Sequence, residues 1–380
     1  MHTLKEQFYF VWKKIAERQN RKHYANHYQA EMDKYNAATD KKSGSQMKRE
    51  CKELHKYWGC YPFQYVRYDM YRKDCPLTMA EMKMYIPNFF AYYLFFPKFF
   101  TSYGILTEDK SLTNSYFKAY KVRQPVLLFK FAHNRFLDSE NNVLSPSRVD
   151  LLIADSNTEK LFVKPTFGLG GRGILVFNLT DGQFITKEKE VLNAEFIQKN
   201  LKDEHYIVQK GLVQHDEINK IYPKAINTFR IMTKVENGKG EILYSMLRMG
   251  QKGNQIDNAS QHGLACAVDR TTGKFAQYGF TGLREKATTH PDTGFVFGDY
   301  QFPHWEEVKA FIINIAEKFY EVKYLGWDLA FTADGPAIIE INAGAGLEFL
   351  QDCYGGVAGG FEVGDPKKWW YSKKYFIKDE

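Results

Sequence analysis

Hydrophobic and polar positions alternate differently in the two parts of the chain. Residues 1–80 are long polar stretches with few β-branched residues, and Lys-Lys-Ser-Gly-Ser at 41–45 suits a turn. We therefore expect helices in an N-terminal region, residues 1–104. From about residue 105, short β-rich runs alternate with Gly, Asp and Asn, and helical stretches interleave at 189–202 and 305–324. This mixture predicts an α+β body with largely antiparallel strands. The β-rich runs are PVLLFKF, LFVKP, ILVFNL, YIVQKGLV, FRIMTKV, EILYSMLRM, FVFGDY, LGWDLAF and AIIEIN.

The most aromatic stretch of the chain is YIPNFFAYYLFFPKFF, residues 85–100. Pro87 and Pro97 divide it into pieces too short to cross a bilayer. Packing in a core is the first interpretation. The alternative is contact with a membrane surface, since aromatic rings and nearby Lys and Arg favour the bilayer interface.

Charge is concentrated at the N-terminus. Residues 1–80 contain 16 Lys and Arg against 9 Asp and Glu, which accounts for the whole net charge of +7. One interpretation is a surface that approaches an acidic partner, such as membrane headgroups, nucleic acid or an anionic polymer. The other is an ordinary solvated helical surface.

Cysteine content and hydropathy indicate a soluble, cytoplasmic protein. The five cysteines form no CxxC pair and are sparse, which argues against a disulfide framework and a zinc cluster. Charges interrupt the first residues too often for a secretory signal, and no run of 18 apolar residues occurs.

A glycine-rich loop lies between two predicted strands in LFVKPTFGLGGRGILVF, residues 161–177. Glycine lets backbone N–H groups approach a ligand closely, so this loop beside Lys164 could hold phosphate groups. It is neither a P-loop nor a dinucleotide-binding turn, because a strand follows it. Taken alone, it could equally be a flexible hairpin loop. Its glycines are Gly168, Gly170, Gly171 and Gly173.

A second constellation lies in the predicted hairpin GWDLAFTADGPAIIEINAGAG, residues 326–346. Asp328, Glu340 and Asn342 stand among apolar neighbours, and three oxygen ligands at one end of a hairpin suit Mg²⁺. A two-residue loop at Asp334-Gly335 would pair Asp328 with Ile341 and turn it away from Glu340. An odd register or one bulge would place Asp328 opposite Glu340, and we predict that register. The alternative is that these acids face solvent.

Two strand arginines, Arg230 and Arg248, could neutralise charge that develops during phosphoryl transfer. Polar loops at 257–263 (DNASQHG) and 290–294 (HPDTG) are of the kind that line clefts. No Ser/His/Asp or Cys/His arrangement has a local signature, and His262 and His290 as single residues carry little weight.

The order of these features resembles the ATP-grasp superfamily. The motifs LTEDKSLTNSYF, FVKPTFGLGGRGI, QKGLVQH, NTFRIMT, LRMGQKGNQIDNASQHG, HPDTG and GWDLAFTADGPAIIEIN are most similar to the sugar-transfer-associated ATP-grasp family, which resembles glutamate ligases. The match covers roughly residues 85–355. It departs from the usual pattern at Thr166-Phe167, which is bulkier than usual, and at Arg172, where lysine is common.

The resemblance implies an ATP-grasp fold, in which two α+β subdomains with antiparallel sheets, residues 105–205 and 206–360, hold ATP between them. A basic aromatic tail, 361–380, follows. Lys110, Lys164 and the loop from Phe167 to Gly173 would contact the nucleotide, together with backbone groups of Gln209, Lys210 and Leu212 and with His215 or Glu217 near the ribose. Arg230 would meet the γ-phosphate or acyl phosphate, and Arg248, Asn258 and His262 would face the acceptor. Asp328, Glu340 and Asn342 would hold one or two Mg²⁺.

The activity implied is ATP-dependent joining of a carboxylate to an amine through an acyl phosphate, which needs positioning and charge neutralisation and no side-chain nucleophile. By analogy with the family name, the substrates would be sugar-linked acids and amines of polysaccharide synthesis. Two alternatives remain open: a kinase of the same fold, or a nucleotide-binding adaptor that docks on a membrane or polysaccharide complex through residues 1–100. We expect no nucleic-acid partner.

Overall fold

The computed structural model describes residues 2–99, 102–168, 173–201, 205–253, 263–282 and 284–373. Helices build the N-terminal region, and further helices accompany the strands of the body. The α-helices are α1 (Leu4–His27), α2 (Gln29–Ala37), α3 (Gly44–Trp58), α4 (Gln64–Arg67), α5 (Met79–Met82), α6 (Asn88–Phe90), α7 (Ile105–Glu108), α8 (Lys110–Ala119), α9 (Pro146–Ala154), α10 (Ala194–Asn200), α11 (Asp216–Asn219), α12 (Trp305–Lys318), α13 (Glu348–Tyr354) and α14 (Pro366–Tyr371). A π-helical turn, Ala91–Phe95, and 3₁₀ turns at Phe96–Lys98 and Ser102–Gly104 join α6 to α7.

Local signals set the ends of the first helices. Thr3 and Glu6 form a reciprocal capping box at the start of α1, and the Ser43 hydroxyl caps α3. The predicted break at 41–45 is confirmed, since α2 ends at Ala37 and α3 begins at Gly44. Gly59 ends α3 with φ +78°, a left-handed conformation that favours glycine.

The aromatic run is buried, which confirms core packing and not membrane contact for that segment. Phe90, Phe95 and Phe96 are fully buried, in a cluster that also contains Trp58 and Trp370. Trp370 belongs to α14, so the first part of the tail packs against the N-terminal helices, whereas residues 374–380 lie outside the described range. Within the described residues, no helix is both long and apolar enough to span a bilayer.

Two seven-stranded antiparallel sheets form the body. The first has the order β3-β2-β1-β7-β4-β5-β6 and the second β12-β11-β10-β9-β8-β13-β14. Their strands are β1 (Leu127–Ala132), β2 (Arg135–Leu137), β3 (Val143–Leu144), β4 (Lys160–Pro165), β5 (Leu175–Thr180), β6 (Gln183–Ile185), β7 (Tyr206–Lys210), β8 (Thr228–Glu236), β9 (Lys239–Met249), β10 (Leu264–Val268), β11 (Phe275–Thr281), β12 (Lys286–Ala287), β13 (Tyr324–Thr332) and β14 (Gly335–Asn342).

The structure corrects three sequence-based expectations. Strand β7 was placed in the second subdomain, but it pairs with β1 and β4 in the middle of the first sheet, so the boundary at 205/206 is wrong. Within the part of the chain that the structure describes, the run FVFGDY, 295–300, forms an isolated bridge at Val296 and no strand, although Phe297 is buried. Helices α10 and α12 are shorter than the predicted helical stretches.

The larger core lies between the second sheet and α12. Trp305, Val308 and Ile312 on one face of α12 pack with Phe229, Trp327 and Ile338 of β8, β13 and β14. Because side chains alternate across a strand, Asp328, next to Trp327, points to the opposite face of the sheet, where the candidate site lies.

Candidate active site

The register of the β13–β14 hairpin turns two carboxylates to one face. Asp328 is opposite Glu340, and a bulge between Asp328 and Leu329 breaks the ladder, so Leu329 pairs with Ile338. Without the bulge, Glu340 would stand opposite Trp327 and point into the core. The predicted register is therefore confirmed, and Asn342, two residues on, shares the face of Glu340.

Two arginines hold Asp328. Arg230 is its cross-strand partner on β8 and donates from Nε to Oδ1 at 2.6 Å and from Nη2 to Oδ2 at 3.0 Å. Arg248 on β9 donates from Nη1 to Oδ1 at 3.1 Å. Burial opposes ionisation of Asp328, but the two guanidinium groups outweigh it and lower the pKa of the carboxyl. The structure thus brings the predicted arginines and the predicted metal ligand together.

Two lysines lie near Glu340. Lys110 Nζ lies 3.4 Å from Glu340 Oε1 and donates to the carbonyl oxygen of Gly168 at 2.8 Å. Burial lowers the pKa of Lys164 to about 8; Glu340 opposes this shift and Lys110 adds to it. Lys164 lies on β4 of the first sheet. Lys110 begins α8, whose Phe117 packs in the core of the second sheet, and the Lys110 N–H donates to the Thr166 carbonyl just after β4 at 2.9 Å.

The ends of the glycine-rich loop are described. Phe167 is half exposed and Gly168 has φ +138°. At the other end, Gly173 has φ +73°, and a Cβ there would lie 3.0 Å from Pro165 Cγ. Gly170, Gly171 and Arg172 lie outside the described residues, as do the acceptor-side candidates Asn258 and His262.

The residues predicted to bind adenine and ribose lie at the end of β7 and just after it. The Lys210 N–H donates to the Val126 carbonyl at 2.9 Å, so this group is used within the sheet and is not free to bind adenine. The Gln209 side chain is buried, and Leu212 lies beyond the strand's end. His215 Nδ1 accepts from the Glu217 N–H and caps α11. The Glu217 carboxylate accepts from Lys220 and, at 3.0 Å, from the Tyr300 hydroxyl.

Several residues near the site had no sequence signal of their own. Buried His290, discounted in the sequence, approaches the Gly250 carbonyl with Nε2 at 2.8 Å. The Asn227 Oδ1 accepts from the Gly250 N–H at 3.3 Å. Both contacts fix Gly250, which precedes residues 254–262 in the chain; those residues, including Asn258 and His262, lie outside the described range. The motifs HPDTG and NTFR indicated these segments, but they did not predict the contacts of His290 and Asn227 with Gly250.

The N-terminal region also reaches the cleft. A Cβ on Gly346 would lie 3.6 Å from the Tyr92 hydroxyl. Burial raises the pKa of Tyr92, nearby Glu348 raises it further, and nearby Arg230 opposes this. Glu348 in turn accepts from Asn88 Nδ2 at 2.9 Å and lies 2.8 Å from His27 Nε2. Tyr92 was not predicted, because the aromatic run containing it reads as uniform core.

The donor set fits a magnesium–nucleotide complex. Among the described residues, no three His, Cys, Asp or Glu side chains converge as a closed metal site. Two carboxylates and one amide instead leave coordination positions for phosphate oxygens, as Mg²⁺ commonly requires. A carboxylate accepts about four hydrogen bonds, and Asp328 accepts three from the arginines. The buried Asn342 Nδ2 has no hydrogen-bond partner in the described part of the chain.

Comparison with solved structures gives distant similarities. N5-carboxyaminoimidazole synthase from Aspergillus clavatus, in complex with ADP and 5-aminoimidazole ribonucleotide, is 8% identical with a TM-score of 0.36, over 64% of this chain and 46% of that one. D-alanyl-alanine synthetase A from Vibrio cholerae is 13% identical with a TM-score of 0.40, over 70% and 65%. The biotin carboxylase domain of Hydrogenobacter thermophilus 2-oxoglutarate carboxylase, with MgADP, ADP and bicarbonate, is 13% identical with a TM-score of 0.35, over 70% and 45%.

The chain thus spans less than two thirds of the length of each of these proteins. No curated protein sequence matches it. The family model described as sugar-transfer associated ATP-grasp matches residues 100–359, which include both sheets and the cleft between them. This chain therefore belongs to the sugar-transfer-associated ATP-grasp family, with a helical region preceding the ATP-grasp fold.

Proposed function

We propose that this protein is an ATP- and Mg²⁺-dependent ligase that joins a carboxylate to an amine through an acyl phosphate. The observation that carries the proposal is the contact of Lys110 with Glu340, with Lys164 nearby, beside the Asp328–Arg230 pair. These groups suit phosphoryl transfer, where positioning and charge neutralisation matter more than a nucleophilic side chain.

Each group has a proposed task. Lys110 and Lys164 would hold the phosphates of ATP, and Asp328, Glu340 and Asn342 would hold Mg²⁺. When bound, Mg²⁺ would neutralise phosphate oxygens. Arg230 and Arg248 would share their N–H donors between Asp328 and the oxygen atoms that gain negative charge.

The proposed chemistry has two steps. A substrate carboxylate oxygen attacks the γ-phosphorus, and the bond from that phosphorus to the ADP oxygen breaks. The amine then attacks the acyl carbon, the bond from that carbon to the phosphate oxygen breaks, and the ammonium proton passes to solvent. We propose sugar-linked acids or amines as substrates, which the family description supports only by analogy.

Hydroxylamine provides a direct test, because it converts an acyl phosphate to a hydroxamate without the natural amine. The protein, Mg·ATP and a panel of uronic acids and amino acids should yield hydroxamate and ADP for at least one acid. A phosphorylated, stable product without hydroxamate would identify a kinase. Glu340→Gln should abolish turnover, whereas Glu241→Gln, an exposed carboxylate of β9, should not.

An oxygen label separates the two chemistries independently. With the active acid labelled with ¹⁸O in its carboxylate, a ligase transfers one label to the released phosphate, since the carboxylate oxygen becomes the bridge of the acyl phosphate. Mass spectrometry of the phosphate reads this out. Unlabelled phosphate throughout would rule out the acyl-phosphate route.

A further inference from the structure

A row of apolar side chains projects from α1 into solvent. Leu4, Phe8, Val11 and Ile15 are 86%, 65%, 55% and 49% exposed. Their spacing of four, three and four residues places them in one row along about 16 Å of helix. Scattered exposed apolar residues need no explanation, but a contiguous row on one helix face marks a surface that another structure covers.

The opposite face of α1 is fixed to the protein. Lys13 is buried and donates to the carbonyl oxygens of Trp369 and Ser372 at 2.6 and 2.7 Å. Glu17 is buried and accepts from Arg21 and from the Tyr61 N–H. Rotating the helix to hide the apolar row would break these contacts and expose Ala16 and Tyr24. Among the described residues, the row is therefore a surface of the folded protein.

The charged residues of α1 indicate which kind of partner could cover this surface. The apolar row continues along the helix with exposed Arg18 and Lys22, each three or four residues after its predecessor. The helix has two carboxylates, and neither belongs to this face: Glu6 closes the capping box and Glu17 is buried. The surface therefore offers apolar and positive groups together.

We propose that this face of α1, Leu4 to Lys22, binds the interface of an anionic lipid bilayer. A helix lying in the membrane plane would bury the four apolar side chains between acyl chains, while Arg18 and Lys22 meet anionic headgroups. A second copy of the chain is a poorer occupant, because two such faces would bring like charges together with no carboxylate to pair them. The positive excess of residues 1–80 would draw the protein to the same surface.

The full-length protein is tested by flotation with two vesicle preparations, phosphatidylcholine alone and phosphatidylcholine with about one third phosphatidylglycerol. We expect flotation with the anionic vesicles only, and weaker flotation at high salt. Phe8→Gln with Val11→Gln should reduce the bound fraction at least about tenfold, because apolar insertion is lost. Arg18→Gln with Lys22→Gln should reduce it as well.

Matched controls change equally exposed residues elsewhere. Val143→Gln with Leu151→Gln removes two apolar side chains that are 66% and 53% exposed, and Lys187→Gln with Lys199→Gln removes two exposed cations. Both controls should float like the unmodified protein, and thermal unfolding should show that all variants are folded.

Three results would overturn the proposal. The first is no flotation of the unmodified protein. The second is full flotation of the Phe8→Gln, Val11→Gln variant, which would mean electrostatic adsorption alone. The third is a concentration-dependent dimer in sedimentation velocity that this variant abolishes, which would assign the face to a second copy of the chain.

Discussion

Asp328 illustrates how a single buried carboxylate can organise a site. It is 5% exposed, and three hydrogen bonds from Arg230 and Arg248 offset the cost of burying its charge. The same contacts place both guanidinium groups at the face that Glu340 and Asn342 share. Removing one partner therefore affects both the stability of the fold and the charge balance of the cleft.

We predict that Arg230→Met lowers the free energy of unfolding by about 3 kcal/mol, because it leaves Asp328 buried with one arginine. The double variant Arg230→Met, Asp328→Leu should lose clearly less unfolding free energy than Arg230→Met alone, since no buried charge remains unmatched. Urea unfolding measures both. Lys323→Met, which breaks the exposed pair with Glu236, should cost at most about 1 kcal/mol. Equal losses for the single and double variants would contradict this account.

Lys164 should make nucleotide affinity depend on pH. Burial lowers the pKa of its ammonium to about 8, so the free protein loses this charge as pH rises through 8. Bound phosphates favour the charged form, and the dissociation constant for ADP should therefore rise above pH 8, by up to about tenfold per pH unit. Calorimetry without metal measures this. Lys164→Arg should flatten the profile, and an unchanged slope would exclude Lys164 as its source.

At the scale of elements, α14 closes the N-terminal region. Trp370 is buried against α3, where its Nε1 donates to the Trp58 carbonyl at 2.8 Å. Gly59, at the end of α3, has no room for a side chain, since a Cβ would lie 2.4 Å from Trp370 Nε1. A helix near the C-terminus of the described chain is thus part of the same core as the first hundred residues.

We predict different effects for two truncations. Ending the chain after Lys373 should leave the unfolding free energy nearly unchanged, because α14 stays in place. Ending it after Asp365 removes Trp370 from the core and should cost at least about 3 kcal/mol. Thermal and urea unfolding compare the two proteins. A similar loss in both would mean that the last seven residues contribute to the core.

At the scale of the whole molecule, the charge pattern of the cleft depends on residues from both sheets. The first sheet supplies Lys164, the second supplies Asp328 and Glu340, and Lys110 comes from α8, which packs in the core of the second sheet. The bulge in the last hairpin is essential to this complementarity, because it turns Glu340 from the core side to the cleft side.

A nucleotide that bridges the sheets should stabilise the whole protein. At about one hundred times its dissociation constant, Mg·ADP should add about 2.7 kcal/mol, seen as a rise of a few degrees in melting temperature. Lys110→Ala should reduce this rise, whereas Lys118→Ala, an exposed lysine later in α8, should not. If Mg·ADP raises the melting temperature of the unmodified protein and of both variants equally, the ligand binds elsewhere.

Some features that the sequence predicted poorly depend on distant partners. Strands β10 and β11 were not predicted: LACAV carries small residues, and its five positions are all buried, which removes alternation. The run FVFGDY has β-type residues, but Gly298 and Asp299 interrupt it. Among the described residues it makes one bridge, at Val296, and its Tyr300 carbonyl accepts a hydrogen bond from the Phe275 N–H. Strand β7 was assigned to the wrong sheet because pairing is set by topology and not by the strand's own residues.

The sequence by itself determined the kinds of element, most strand positions, the hairpin with Asp328 opposite Glu340, and the family, because these depend on local patterns and motif order. Only the tertiary structure decided that Arg230 and Arg248 hold Asp328, that Tyr92 reaches the cleft, that the aromatic run is core, and that α1 presents its apolar row to solvent. The physical reason is that burial and ion pairing depend on which elements meet, and residues far apart in the chain make those contacts.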